Sequence, residues 1–456
     1  MGDRTLRLRG GEGMKRTSVG LTAELIEEIS REKGEPRWML EHRLRALEIF
    51  RKLPMPRFGP DLSEVDFSDI SYYLRTVEPV GSWEELPEEI RRTLEELGLP
   101  EAERKALAGL GAQVDSEVVY RSILAEVRAQ GVIFEPMEEA IKNHPDLVRE
   151  HFMKVIPPED NKFAALHGAV WSGGTFVWVP EGVEVAIPLQ AYFRMQTQGV
   201  GQFEHTLIVA EAGSSVHYIE GCSAPRYTKA ALHSGMVEIV AKEGAHVRFT
   251  TIQNWSRNVY NLNNKRAVAY AGATVDWVSG SLGSKVTMLY PSTILAGRGA
   301  KTENLSFSFA RNGQWLDLGA KAIHLAPDTS SRLVSRSVVQ GKAKNVFRGK
   351  LYVAPEAKGA KGHVECSTLL LSPEAETETI PTLDVRNHEV EVGHEATVGR
   401  VSRDQLFYLM SRGLDEAEAL SLIINGFVSP ILKEIPFEYA VELKRLLEMS
   451  FAEAIG

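Results

Sequence analysis

Cysteine is the scarcest informative residue here: Cys222 and Cys366 stand alone in 456 residues. Two isolated thiols cannot fill a four-cysteine metal site, and no Cys-x-x-Cys pair or finger spacing is present. One bridge would add little to so large a chain, so no structural disulfide is expected. No apolar run approaches the ~20 residues that span a bilayer. Residues 1–20 are basic and glycine-containing without an apolar stretch, and read as a flexible lead rather than a targeting segment. The expected compartment is the cytoplasm, with no membrane partner. An excess of positive charge is also missing. The chain has 52 Lys and Arg against 61 Asp and Glu, a net charge of −9, which argues against a nucleic-acid partner held by bulk charge.

Several catalytic signatures are absent too. Gly280-Ser-Leu-Gly-Ser-Lys285 is glycine-rich but has the wrong spacing for a phosphate-binding loop, so the chain is not expected to hydrolyse nucleotides. His394-Glu-Ala-Thr-Val398 begins like a zinc-protease motif and lacks the second histidine. Gly173-Gly174 is no dinucleotide fingerprint, and no Gly-x-Ser-x-Gly elbow occurs. Acidic residues are scattered or helical, which disfavours a glycosidase with paired carboxylates.

What remains falls into three zones. Residues 21–160 read as mostly helical. Leu40, Leu44 and Leu47 recur at helical spacing behind Pro36, Ser82-Trp-Glu-Glu85 has a capping-box pattern, and a helix through Glu138–Lys142 breaks near Asn143-His-Pro145. From about residue 163 helical periodicity vanishes for over two hundred residues, replaced by Val, Ile, Thr and aromatic runs between glycines. Gly-x-x-Val recurs at Gly182, Gly213, Gly244 and Gly272, with a degenerate copy at Gly299. A turn glycine in fixed phase before an apolar strand, without intervening helices, suggests stacked β coils rather than a sandwich. The last zone is helical, with a stripe of Leu414, Ala417, Leu420, Ile423 and Phe427. Pro430 and Pro436 punctuate it before a final helix through Phe437, Ala440, Val441 and Leu447.

On residue pattern alone each cysteine is either a small buried hydrophobe or a soft ligand and sulfur nucleophile. Longer motifs add to that reading. Ala164-Ala-Leu-His-Gly-Ala-Val-Trp-Ser-Gly-Gly174, Pro188-Leu-Gln-Ala-Tyr-Phe-Arg194, Tyr218-Ile-Glu-Gly-Cys-Ser-Ala-Pro225 and Ile252-Gln-Asn-Trp255 closely resemble the SufB/SufD family of iron–sulfur cluster scaffolds. So do Ser284-Lys-Val-Thr-Met288, Gly393-His-Glu-Ala-Thr397, Asp404-Gln-Leu-Phe-Tyr408 and Ile424-Asn-Gly-Phe427. Gly34-Glu-Pro-Arg-Trp-Met-Leu40 and Gly109-Leu-Gly-Ala-Gln113 place it on the SufB side.

The resemblance implies a right-handed parallel β-helix over residues 161–398, flanked by helical regions at 21–160 and 399–456. It implies a scaffold without enzymatic turnover of its own, carrying a transient iron–sulfur cluster built from ferrous iron and persulfide sulfur. It also implies partners: a SufC-type ATPase on the C-terminal helices, a SufD-type paralogue or a second copy, a cysteine desulfurase and apo target proteins. A SufD-like structural subunit without cluster chemistry is the alternative. Cys366 resembles the family's cluster-building cysteine, although Ser367 stands where the family usually has Asp. Cys222 resembles the sulfur-entry position, and Arg194, Gln253, Trp255 and Lys265 resemble positions lining a sulfur route. His394 and Glu395 are the remaining expected iron ligands, yet neighbours on one strand point to opposite faces. A site completed by another chain is therefore expected.

Overall fold

A computed structural model describes residues 15–16, 20–75, 109–225, 230–311 and 313–433. Its centre is a parallel β-solenoid of about 8 turns, with helices toward both ends. Each coil gives one strand to each of two sheets. The first sheet runs through Leu189–Arg194, Ser215–Ser223, His246–Trp255, Thr274–Gly283, Lys301–Ala310, Ser330–Val339, Lys361–Leu370 and Glu391–Arg400. The second runs through Thr175–Val179, His205–Ala210, Met236–Ala241, Val259–Ala269, Val286–Leu289, Trp315–His324, Lys344–Val353 and Glu376–Val385. All these pairings are parallel and in register, so equivalent residues of successive coils stack.

The glycine phase is the corner of each coil. Gly182, Gly213, Gly244, Gly272 and Gly299 all have positive φ, between 65° and 71°. The column continues at Asp328 (φ 58°) and Gly359 (φ 73°), where no Gly-x-x-Val pattern marks it. Each corner N–H donates to a carbonyl of the next coil, as in Gly213 N to Glu243 O at 2.8 Å and Asp328 N to Lys358 O at 2.8 Å. Glycine reaches this left-handed conformation without a Cβ penalty.

The N-terminal zone differs from the helical expectation. Helices Ala23–Lys33 and Arg37–Lys52 are present, but Gly109–Val114, Glu117–Ile123 and Ile133–Pro136 are strands. They extend both sheets at that end, and two of the pairings are antiparallel. The β zone also starts later than expected, since Lys162–Val170 is a helix. Lys15–Arg16 of the expected lead pairs with Leu74–Arg75. The Ser82 capping box and the segment beyond Pro436 lie outside the described residues.

Buried charge fastens the helices to the coils. Arg43 is fully buried, donates to both Glu35 oxygens at 2.6 and 2.8 Å, and reaches the Ala169 and Trp171 carbonyls. Glu238, on a coil strand, accepts N–H bonds from Met153, Val155 and Ile156 at 2.6–2.8 Å. At the other end, helix Glu416–Leu432 starts on an Asp415–Glu418 capping box and runs through Pro430 instead of stopping there. Its buried residues are Ala419, Ile424, Val428 and Ile431, a face rotated from the expected stripe. The last three pack on Val278, Leu282, Phe307, Phe309 and Val338, the outer face of the first sheet.

Two corner substitutions separate conformational strain from collision. A Cβ at Gly213 meets only Gly182 Cα at 4.0 Å, so Gly213→Ala is expected to cost about 1–2 kcal/mol from its φ alone. A Cβ at Gly283 would sit 1.7 Å from the Trp255 carbonyl oxygen, a backbone atom that cannot yield. Thermal unfolding of purified protein should show a small loss for Gly213→Ala, and Gly283→Ala should give little soluble protein. Equal behaviour of the two would overturn this account.

Candidate functional site

Strand alternation sorts the side chains of the first sheet onto two faces. Tyr218, Glu220 and Cys222 face the coil interior from Ser215–Ser223, and Phe249, Thr251, Gln253 and Trp255 from His246–Trp255. Tyr218 stacks on Phe249 at 5.5 Å between centroids, and Phe249 packs on Trp277 at 5.4 Å. Beyond these rings the interior becomes polar.

Gln253 is the hub of that polar layer. Its Nε2 donates to Glu220 Oε1 at 3.1 Å, Thr251 Oγ1 at 2.9 Å and Cys222 Sγ at 3.3 Å. Its Oε1 accepts from Trp255 Nε1 at 2.7 Å, Asn261 Nδ2 at 3.3 Å and Asn263 Nδ2 at 3.5 Å. Lys265 ion-pairs with Glu220 at 2.5 Å, both essentially sealed from solvent, and lies over the Phe249 ring. Cys222 is 2% exposed. Burial pushes its thiol well up, the Glu220 and Glu204 carboxylates push the same way, and the Lys265 ammonium and Gln253 amide oppose them. Cys222 is therefore a protonated thiol in this resting arrangement.

Of the four residues expected to line a route, three belong to this layer: Gln253, Trp255 and Lys265. Arg194 does not. It pairs in register with Ser223 and donates to Ser223 Oγ at 3.0 Å, on the face opposite Cys222.

Cys366 lies five strand steps away along the first sheet, about 24 Å at ~4.8 Å per step. The register joins the two thiols by two stacked columns. One runs Cys222, Gln253, Ser281, Ser308, Ser337, Thr368; the other runs Glu220, Thr251, Ser279, Ser306, Ser335, Cys366. All these residues are buried. The inner wall between the cysteines is thus a strip of hydroxyls two residues wide. It is packed rather than hollow, with Ser308 Oγ donating to Ser337 Oγ at 2.9 Å. Only the shared phase of the coils reveals it, because the serines are scattered through the chain.

Cys366 sits one coil below the end of the solenoid. Glu376–Val385 and Glu391–Arg400 end their sheets, each pairing on one side only among the described residues. Leu383, Val385 and Val398 are exposed there, on the inner face. Cys366 itself is 1% exposed and its Sγ lies 3.3 Å from Thr379 Oγ1. Burial pushes its thiol up, with the Thr379 and Thr368 hydroxyls opposing. His394 pairs with Val364 and so shares the inner face with Cys366, and its Nε2 is buried without a hydrogen-bond partner among the described residues. Glu395 pairs with Glu365 on the outer face. Within one chain the structure thus aims His394, and not Glu395, toward the side that Cys366 occupies.

Neither thiol is set to react with a soluble alkylator. In native protein at neutral pH, iodoacetamide with mass mapping should label Cys366 slowly and Cys222 slower still, and denaturant should release both. Faster labelling of Cys222 than of Cys366 would contradict the deeper position of Cys222 along the coils and the stronger upward push on its thiol.

Residues 193–427 match the family described as SUF system FeS cluster assembly, SufBD core domain, and residues 111–191 match the SufBD protein N-terminal region. The chain is 50% identical over 442 residues to the iron–sulfur cluster assembly protein SufB of Bacillus subtilis (strain 168), covering 97% of this chain and 95% of that one. The same identity and coverage hold for an iron–sulfur cluster assembly SufBD family protein of Staphylococcus aureus (strain MRSA252). With both parts of the family matched in order along the solenoid that carries Cys222 and Cys366, the chain belongs to the SufBD family of iron–sulfur cluster assembly proteins.

Proposed function

We propose that this chain is the scaffold subunit on which an iron–sulfur cluster is built at the open C-terminal end of the solenoid, with Cys366 as the assembling thiolate. The observation that carries this reading is the position of Cys366, one coil below two edge strands that pair on one side only among the described residues, on the same face as the His394 nitrogen that has no hydrogen-bond partner among them. One thiolate and one imidazole leave a cluster short of ligands. A second chain, a SufD-type paralogue or another copy, docks on the open end and completes the set, bringing outer-face groups such as Glu395 into play.

The Cys222 thiolate takes persulfide sulfur from a cysteine desulfurase as the donor cysteine leaves as thiolate. A dithiol reductant then supplies two electrons, releasing hydrosulfide and restoring Cys222, and the hydrosulfide moves along the hydroxyl strip, where every coil offers O–H donors to it. Lys265 provides the one buried cation beside Cys222 among the described residues, and Gln253 and Trp255 hold the entrance layer together. The strip is closed at rest, so passage requires the coils to loosen. A SufC-type ATPase on the C-terminal helices supplies that work. Those helices expose Phe407, Tyr408, Met410 and Leu422, a docking face of the right character. The completed cluster passes to apo target proteins.

Anaerobic assembly with desulfurase, ferrous iron, the ATPase and the paralogue should give visible absorption and matched iron and sulfide, all lost in Cys366→Ala. The triple variant Ser279→Ala, Ser306→Ala, Ser335→Ala should keep its fold, each change costing no more than about 1 kcal/mol. It should slow desulfurase-driven assembly several-fold and leave assembly from free sulfide unaffected. A full cluster on Cys366→Ala would end the assignment of Cys366 as the assembling thiolate, no cluster on the parent with every partner present would end the scaffold assignment, and equal slowing with both sulfur sources would end the internal route.

A further inference from the structure

Cys222 has two neighbours outside the hydroxyl strip. Glu204 and His233 come from the second sheet's side of the coils, and their ligand atoms and Cys222 Sγ all lie within 4.8 Å of one another. All three residues are buried. We propose that Glu204, Cys222 and His233 form an internal binding site for a borderline divalent cation, ferrous iron or zinc, with the fourth position open. It rests on this donor set alone, whether or not Cys222 accepts sulfur.

The set has the composition that such cations take, one thiolate, one imidazole and one carboxylate. Its orientation is fixed from behind. Asn261 gives its Nδ2 to Gln253 and turns Oδ1 to His233 Nδ1 at 2.7 Å, so Nδ1 donates and Nε2 faces the pocket. A hydrogen-bonded second nitrogen is the usual outer support of a metal-bound histidine. Nε2 lies 2.6 Å from Glu204 Oε1, which requires one proton between them. Glu204 Oε2 is buried with no partner among the described residues. An unsatisfied carboxylate oxygen in a sealed interior is costly, and a cation would satisfy it.

The backbone leaves room for that carboxylate. Gly235 stacks on Glu204 in the next coil, and a Cβ there would fall 2.3 Å from Glu204 Oε1. Gly235 N donates to Asn263 Oδ1 at 2.9 Å, which holds the gap open from the other side. The side-chain-free position is thus occupied by Oε1, and a cation held by both carboxylate oxygens would take Oε1 from His233 and give Oε2 its partner. Tetrahedral ligation needs donors about 3.4–3.8 Å apart, so the Glu204–His233 pair opens by about 1 Å as metal enters. Charge balances. The cation displaces the proton shared by His233 and Glu204 and the proton on Cys222 Sγ, and the pocket keeps its net charge. A swap that adds no buried charge avoids the desolvation cost that otherwise bars ions from such interiors.

The test is an anaerobic titration of the full-length chain with Co(II), Fe(II) and Zn(II). Co(II) should bind at one equivalent with a thiolate-to-cobalt charge-transfer band that survives in Cys366→Ala and disappears in Cys222→Ala. Glu204→Gln and His233→Gln keep the thiol and should weaken binding by more than about 100-fold, since even outer-shell losses cost about 10–100-fold. Gly235→Ala should do the same by displacing Glu204. Zn(II) should raise the melting temperature of the parent and not of His233→Gln, a readout independent of cluster assembly. If Cys222→Ala does not fold, the glutamine variants decide. A band lost in Cys366→Ala and kept in Cys222→Ala, or no thiolate band in folded parent protein, would overturn the site.

Discussion

The structure depends on one constraint: every coil returns to the same register. Parallel pairing without slippage puts equivalent residues of successive coils about 4.8 Å apart along the axis. A side chain in the interior therefore has its neighbours chosen for it, one coil above and one below. For apolar residues this makes ladders such as Tyr218, Phe249 and Trp277. For polar residues it is a stricter demand, because a buried polar group left without a partner is costly and the stack chooses which partners lie within reach. Gln253 meets that demand with all of its donor and acceptor capacity, which is why Glu220, Lys265, Trp255 and the two asparagines can coexist beside it.

The same constraint sets two thiols in unlike surroundings. Burial and the neighbouring carboxylates push the Cys222 thiol well up deep in its network, and Cys366 sits one coil from the end of the solenoid. A thiol's chemistry needs the thiolate, and the thiolate needs positive charge or water. Cys366 has a single coil between it and the end of the solenoid, so a local opening there would admit water or a partner's charge. Cys222 has Lys265 in the network, but that ammonium is committed to Glu220 at 2.5 Å. Whatever activates Cys222 must bring charge into the coil or open it, so chemistry at this residue is coupled to conformational change in a way that chemistry at Cys366 is not.

How far the sequence reveals this follows from where each signal resides. The corner glycines were legible because positive φ leaves a mark on residue type at a fixed phase, and Asp328 shows where the mark fails. The strands at 109–136 were missed because their glycines and single polar residues lack alternation, and their role is to finish sheets begun elsewhere. The stretch Leu305-Ser-Phe-Ser-Phe309 shows a deeper limit. Alternation says that two faces differ and not which face is inside. Here the phenylalanines face outward under helix Glu416–Leu432 and the serines line the interior. Arg194 was misplaced for a related reason, since one step along a strand moved it to the other face from Cys222. Glu204 and His233 left no local pattern at all. They meet Cys222 because coil height, not chain distance, decides what is adjacent.

The two ends of the solenoid differ in a way that stability alone does not explain. A β-helix exposes unpaired N–H and C=O groups at each end, an invitation to edge pairing that proteins ordinarily suppress. At the N-terminal end this chain adds antiparallel strands and helices, fastened by the Arg43–Glu35 pair and the Glu238 carboxylate. At the other end the last coil keeps free edges and exposed inner residues among the described residues, although helix Glu416–Leu432 lies close by on the side of the sheet. A helix that could have covered the mouth covers the flank instead. Among the described residues the inner wall at that edge carries His394, Ala396 and Val398, and Cys366 lies one coil behind them on the same face, so whatever pairs with this edge in solution meets the inner wall that leads to the thiol.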